Sequence, residues 1–262
     1  MIKFFRKIRY NLMETGKTKR YLKYAIGEIT LVVIGILIAL QINNWNEKIK
    51  HSEEEQIILK KLSTDIKNDI KFLKLQIENG KTHINDYKFC LDVLSAERDS
   101  NLEEFNQRFS STMLMVSFDI NKTTFNGITD SRTIDYIKNN ELVDSLNTFY
   151  NNNYKGWDSA NKDYTRNIIG PYLMKFNFLP IVNYDRFKYN TGGFSNSDFS
   201  QYNLSKFEVK PKTISDFKKD VFIINLLRQR LFLTEGQIFR YNSLKDNMER
   251  LLKLIQQEIK DD

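Results

Sequence analysis

YAIGEITLVVIGILIALQI, residues 24–42, decides how this chain is read. From Ile29 to Leu40 only Thr30 and Gly35 interrupt the apolar run. At 1.5 Å rise per residue a helix over this stretch reaches about 28 Å, close to the hydrocarbon thickness of a bilayer. Tyr21 and Tyr24 at one end and Trp45 at the other stand where aromatic side chains anchor a span at the headgroups. The core helix of a soluble protein has no need of such flanks. The reading is a transmembrane helix.

Charge gives that helix a direction. Residues 1–23 hold eight basic groups, among them Lys17, Lys19, Arg20 and Lys23, against one acid, Glu14. This tail accounts for the whole formal charge of +7, because residues 24–262 carry 32 basic groups (40 less 8) and 32 acidic ones (33 less 1). Cations collect on the cytoplasmic side of a span, so residues 1–23 are expected to be a cytoplasmic tail at the membrane surface. Residues 43–262 then form a periplasmic domain of the inner membrane. The neutrality of that domain argues against nucleic acid as a partner, which asks for a basic face. No Ala-x-Ala site closes the apolar run, which favours an uncleaved signal anchor over a signal peptide. Within the span, Gly27, Gly35 and Ala39 offer a small-residue surface for helix association. Glu28 sits one turn from Tyr24, near enough to the headgroups to join that packing rather than carry ions.

Beyond the membrane the spacing is helical. Leu59, Leu62, Ile66, Ile70, Leu73, Ile77, Ile84, Tyr87, Leu91 and Leu94 step by three or four through Glu53–Glu97, with a break expected at Gly80. Near the other end Thr213 and Asp216 make a capping-box pattern. Ile214, Phe217, Val221, Ile224, Leu227, Leu231, Ile238, Tyr241, Leu244, Met248, Leu251, Ile255 and Ile259 then trace one long second seam that mirrors the first, whose narrow period is close to a coiled-coil pattern. Two such helices at the ends of one domain are expected to pack antiparallel. Shorter helices are predicted between them, over Leu102–Met113, Thr124–Asn139, Glu141–Asn153 and on through Trp157–Ile169 until Gly170-Pro171 stops the last. The fold class is therefore mainly α, a transmembrane helix followed by an elongated bundle of five or six helices. Residues 180–210 break the pattern, being rich in turn formers and in aromatics, with Phe187, Tyr189, Phe194, Phe199 and Tyr202 as a candidate surface for a partner or ligand.

Chemistry is harder to find. Gly-rich phosphate loops and nucleophile elbows are absent, His51 and His83 lack metal-ligand spacing, and adjacent carboxylates such as Glu103 and Glu104 fall on different helix faces. Both histidines read as surface groups. Cys90, the single cysteine, forms no disulfide within the chain and reads as a small buried residue. The expectation is a protein that is no enzyme and uses no cofactor or metal. Its partners are the lipid bilayer and either a second copy or another periplasmic protein. The alternative is a sensory domain that binds a small ligand, of a class the sequence leaves unknown, and signals through a partner protein.

The residues beside the membrane carry a resemblance. MIKFFRKIR at 1–9, YAIGEI at 24–29 and VIGILIALQINNWNE at 33–47 are similar to a Bacteroidota single-pass membrane-protein family catalogued as domain of unknown function 6090. Ile137-Lys138-Asn139-Asn140-Glu141-Leu142 and Phe149-Tyr150-Asn151-Asn152 resemble it more loosely, and 180–210 does not match. The resemblance implies an inner-membrane protein with a periplasmic domain, and it implies no activity.

Overall fold

The computed structural model describes residues 6, 10, 18–175, 186–188 and 212–260. Among them the secondary structure is helical, with no strand. The chain divides into two compact units, Met1–Ile57 and Ile58–Asp262.

Helix α1 runs without interruption over Thr18–Leu94 and so belongs to both units. Its first part contains a stretch long and apolar enough, by length and composition, to cross a membrane, and none of that stretch is buried. Leu31, Ile36 and Leu40 are all exposed. Water would make so large an apolar surface costly, at roughly 25 cal/mol per Å², which makes this stretch a candidate membrane span.

The second unit is built on the remainder of α1 and on the last helix. α1 stops at a left-handed residue: Ala96 takes φ 64°, while the amides of Ala96 and Glu97 return to the carbonyls of Val93 and Asp92. This is the Schellman closure, with alanine where glycine is usual. There follow α2 (Leu102–Ser110), a 3-10 turn (Ser111–Met113), α3 (Thr123–Asp130), a second 3-10 turn (Thr133–Tyr136), α4 (Asn140–Asn151) and α5 (Gly156–Tyr164). The Asn101 and Asn139 side chains cap α2 and α4 by accepting the amides of Glu104 and Leu142. α5 widens into a π turn over Thr165–Ile169 before α6 (Gly170–Leu173), α7 (Ile214–Lys218) and α8 (Val221–Glu258).

Ion pairs give the direction of the long pair. Lys74 meets Glu249 and Lys88 meets Glu235, so fourteen residues forward on α1 match fourteen residues back on α8. The helices are antiparallel, as the paired seams predict. Along them the core falls into two clusters. One gathers Leu59, Leu62, Ile66 and Leu73 against Tyr241, Leu244, Met248 and Ile255, under Phe125, Leu146 and Tyr150. The other gathers Tyr87, Cys90 and Val93 against Ile223, Leu226 and Leu227, under the Phe105, Phe109 and Phe217 rings. Cys90 is buried, as its reading required.

Several expectations are corrected. Gly80 does not break α1. A Cβ there would lie 2.2 Å from Cδ1 of Ile238, so the glycine marks the close approach of α8 rather than a turn. The second seam is two helices. The capping box at Thr213 and Asp216 opens only α7, and Asp220 then caps α8 by accepting the amide of Phe222. Val221 is consequently exposed, and the buried face at that end uses Ile223 and Leu226. The stretch expected as one helix over Thr124–Asn139 closes at Asp130 and resumes as a 3-10 turn, with Arg132 left-handed between them. Residues 152–155 separate α4 from α5, and Gly170-Pro171 lies inside a helix. Gly170 bonds back five residues to Thr165, and the wide turn absorbs the amide that proline lacks. His83 is buried, and only His51 is a surface histidine.

One substitution tests this packing with an unusual sign. Alanine for glycine in mid-helix ordinarily stabilises by up to about 1 kcal/mol. At Gly236 a Cβ would stand 2.5 Å from the ring of Trp157, which a rigid indole cannot yield cheaply. Gly236→Ala is therefore expected to destabilise the chain, by about 1–3 kcal/mol as overpacked sites do, in denaturant unfolding. A stabilised variant would mean Trp157 is not held there.

Candidate functional site

Between the two apolar clusters the helix pair turns polar. On α1, Asn79, His83 and Asp86 fill the interval from Ile77 to Tyr87; on α8, Arg230, Thr234 and Gln237 fill that from Leu227 to Ile238. All six are buried.

The α8 half is occupied with structure. Residues 114–120 belong to no helix or strand, so their buried backbone groups need side chains. Arg230 donates to the Leu114 carbonyl, and Gln237 to the Val116 carbonyl at 3.0 Å. Asp158 accepts from the Phe118 amide at 3.2 Å. Leu114, Val116 and Phe118, alternate residues of the segment, meet these three side chains through their backbone groups. The Arg230 guanidinium, 1% exposed, also donates to Oδ1 of Asn161 at 2.8 Å and to the Tyr87 hydroxyl at 3.3 Å. Asn161 donates onward to the Leu233 carbonyl. The Tyr241 hydroxyl donates to Asp158 at 2.8 Å. Burial pushes the Asp158 carboxyl up, against the lowering effect of its bonds to Gln237, Tyr241 and Phe118. These groups hold the 114–118 crossing in place.

The α1 half meets a different segment. Arg186, Phe187 and Lys188 descend α1 in order: the Arg186 guanidinium pairs with Oδ1 of Asp86, the Phe187 ring lies 4.7 Å from that of His83, and the Lys188 amide donates to Oδ1 of Asn79 at 2.7 Å. Three consecutive residues thus engage side chains at 86, 83 and 79, one face of the helix at spacings of three and four. Burial lowers the His83 pKa to about 3, with the Arg230 and Arg186 charges adding to it, so the imidazole is neutral. For Asp86, burial raises the pKa while the Arg186 and Arg108 guanidiniums oppose it. Arg108 reaches the same Oδ1 at 3.4 Å and lies over the Phe89 ring. Among the buried atoms of this face without a hydrogen bond is Nδ2 of Asn79, and the Ser111 hydroxyl joins the groups that hold the Asp86 carboxyl.

The residues singled out from sequence fall elsewhere. Gly27 and Gly35 have nothing within 4 Å, and Ala39, Tyr24 and Trp45 are exposed along the apolar stretch with Glu28 half-buried among them. They lie together on one helix, in the unit separate from the seam. Lys23 is exposed; Lys19, Arg20 and Tyr21 are in α1, and Lys17 lies outside the described residues. Of the aromatic set in 180–210, Phe187 is buried against His83 and so serves packing rather than an open surface. Tyr189, Phe194, Phe199 and Tyr202 lie outside the described residues. Sequence reasoning missed Asn79, Asp86, Asn161, Arg230 and Gln237, and it placed His83 on the surface. A signal existed: Asn79, His83, Asp86 and Cys90, like Arg230, Thr234, Gln237 and Tyr241, step by four, three and four, the rhythm of a buried face.

Residues 28–157 match the model of a family of unknown function, DUF6090. The chain carries a DUF6090 segment, and the family read from the residues in and around the apolar stretch is met from Glu28 onward. The match takes in the apolar stretch, Asn79, His83, Asp86 and Arg108; it leaves out Arg186 and α8. No curated protein and no solved structure matches the chain.

Proposed function

From a DUF6090 segment that begins in an exposed apolar helix and continues into a buried bundle, we propose that this protein is a membrane-anchored interaction module. It spans the inner membrane once, with its basic tail in the cytoplasm and the bundle in the periplasm, and it self-associates. The observation that carries the reading is the contrast along α1, wholly unburied where it is apolar and regularly half-buried beyond Ile57. The cations of residues 1–23 support the orientation. Gly27, Gly35 and Ala39, with no side chain packed on either glycine, support helix association. A binding role rather than a catalytic one is supported by the half-buried Asp158 and the buried Tyr241 and Arg230, whose polar atoms are spent on backbone and on neighbouring side chains.

One experiment addresses orientation and association together. A membrane-impermeant amine crosslinker small enough for porins is added to intact cells. Crosslinked dimers are expected, and Gly35→Leu and Glu28→Ala should reduce them several-fold. Modified chain that stays monomeric would remove self-association; a chain the reagent never reaches would remove the periplasmic placement.

A further inference from the structure

We propose that Asp65 and Asp69 of α1, with the Tyr150 hydroxyl of α4, form a binding site for a hard divalent cation, calcium or magnesium. This goes beyond the module reading and does not depend on it.

Asp65 and Asp69 stand one turn apart and share a face of α1. Each spends one oxygen on the segment that leads into α3. Oδ2 of Asp65 accepts from the Thr124 hydroxyl at 2.5 Å, and Oδ2 of Asp69 accepts from the Asn121 amide at 2.9 Å. Both carboxyl groups are thereby fixed, and among the described residues nothing bonds to the Oδ1 of either. Burial raises the Asp69 pKa and the Asn121 amide opposes it; the one charge acting on it among the described residues is the Asp65 carboxylate, which raises it further. Like charges held this close destabilise the fold unless a cation joins them.

The Tyr150 hydroxyl is the second sign of a ligand. Its residue is 1% exposed, with the ring stacked on that of Phe125 at 4.4 Å between centroids, and its oxygen has no hydrogen bond. Burial raises its pKa, and the Asp69 and Asp65 carboxylates raise it further. The hydroxyl is thus within reach of both charges and bonds to neither, whereas a buried hydroxyl is ordinarily paired. The Lys122 ammonium does not fill the role: it donates to the Tyr150 carbonyl and is not among the charges that act on the hydroxyl.

Two carboxylate oxygens and a hydroxyl oxygen gathered in one place are the hard donors that calcium and magnesium take, with water completing the shell. Asp69 is 9% exposed and Asp65 is half-buried, so an ion enters from the surface. Among the described residues no three His, Cys, Asp or Glu side chains converge, which leaves the site two protein charges. Its dissociation constant is therefore expected on the order of 0.1–1 mM, the range of weak calcium modules. Histidine spacing gave no sign of the site because it uses no imidazole.

The test titrates the full chain in detergent, stripped with EDTA and dialysed, with calcium chloride and separately with magnesium chloride in a calorimeter. One saturable site is expected for at least one of the two ions. Asp65→Asn/Asp69→Asn should weaken it at least tenfold. Tyr150→Phe should weaken it several-fold with helical circular dichroism unchanged; a hydroxyl that serves packing alone would leave ion binding unmoved. Terbium, a calcium substitute excited through an adjacent tyrosine, gives an independent reading. Its sensitised emission should saturate on the wild type, be displaced by calcium and fall sharply in Tyr150→Phe. Without the ion, Asp69→Asn relieves burial and repulsion, and calcium supplies that relief to the wild type alone. At about 10 mM calcium the wild-type melting midpoint should rise by about 4–7 °C, while that of Asp69→Asn stays within about 1 °C. Absence of saturable binding would mean that water alone meets the hydroxyl, and would overturn the proposal. So would equal binding by the double variant, or terbium emission that survives Tyr150→Phe. Should the double variant lose its helical signal, the terbium comparison of wild type with Tyr150→Phe decides.

Discussion

Arg230→Met is expected to cost about 3–5 kcal/mol of folding free energy. The size of the loss reflects the acceptors that the guanidinium would leave behind. Arg230 is 1% exposed, and its donors satisfy the Leu114 carbonyl, the Asn161 carbonyl and Oδ1, and the Tyr87 hydroxyl. Methionine fills much of the volume but donates nothing. Each stranded acceptor costs on the order of 1–3 kcal/mol, and the Leu114 carbonyl has no strand neighbour to turn to. Because Arg230 also sits between the two apolar clusters, its loss lets the 114–118 crossing move and loosens both. Denaturant unfolding of the full chain in detergent, followed by helical circular dichroism, measures the effect. Arg228→Met is the control: that side chain is exposed, two residues away, and should stay within about 0.5 kcal/mol. A midpoint for Arg230→Met that matches the control would show the network to be dispensable.

The helix pair was legible because burial repeats every three or four residues, and apolar side chains report it directly. Leu59, Leu62, Ile66, Ile70, Leu73 and Ile77 are buried as their spacing requires. The errors arose where a residue's usual behaviour was taken for its behaviour here. Glycine usually interrupts a helix, yet Gly80 is present because Ile238 occupies its side-chain space, a fact about α8 that no local rule contains. Proline after glycine usually stops a helix, but a π turn just before Pro171 let the chain continue. The polar seam was invisible for the same reason. Asn79, Asp86, Arg230 and Gln237 look like solvated surface until the 114–118 crossing and the 186–188 segment give them partners. Those partners are 100 to 121 residues distant in sequence, and their meeting is tertiary. Only the four-three-four rhythm hinted that these positions face inward.

Asp69→Asn should flatten one component of the chain's pH dependence and stabilise it at neutral pH. Asp69 lies at the edge of the core, accepts the Asn121 amide at 2.9 Å, and has a folded-state pKa of about 6. Burial is the main cause; the Asn121 amide opposes it, and the Asp65 carboxylate one turn earlier adds to it. A carboxyl whose folded pKa lies above its unfolded value of 3.8 stabilises the fold fully below about pH 4. That contribution is lost as pH rises through about 6. At roughly 1.4 kcal/mol per pKa unit, a displacement of about two units makes the ionised group cost about 3 kcal/mol above pH 6. His83 works in the opposite direction. Its folded pKa of about 3 lies below the ordinary 6.5, so its stabilisation is present above about pH 6.5 and is lost as pH falls toward 3. The two slopes overlap between about pH 4 and 6.5 and partly cancel in the wild type, which makes the raw profile a poor test. The informative quantity is the difference between Asp69→Asn and wild type across pH 4 to 8, in which the His83 contribution is common and drops out. Asparagine keeps an oxygen for the Asn121 amide and removes the charge. The difference should therefore be small near pH 4, grow through pH 5 and 6, and level off at up to about 3 kcal/mol in favour of the variant. A difference that stays flat across this range would mean the Asp69 carboxylate remains solvated in the folded chain.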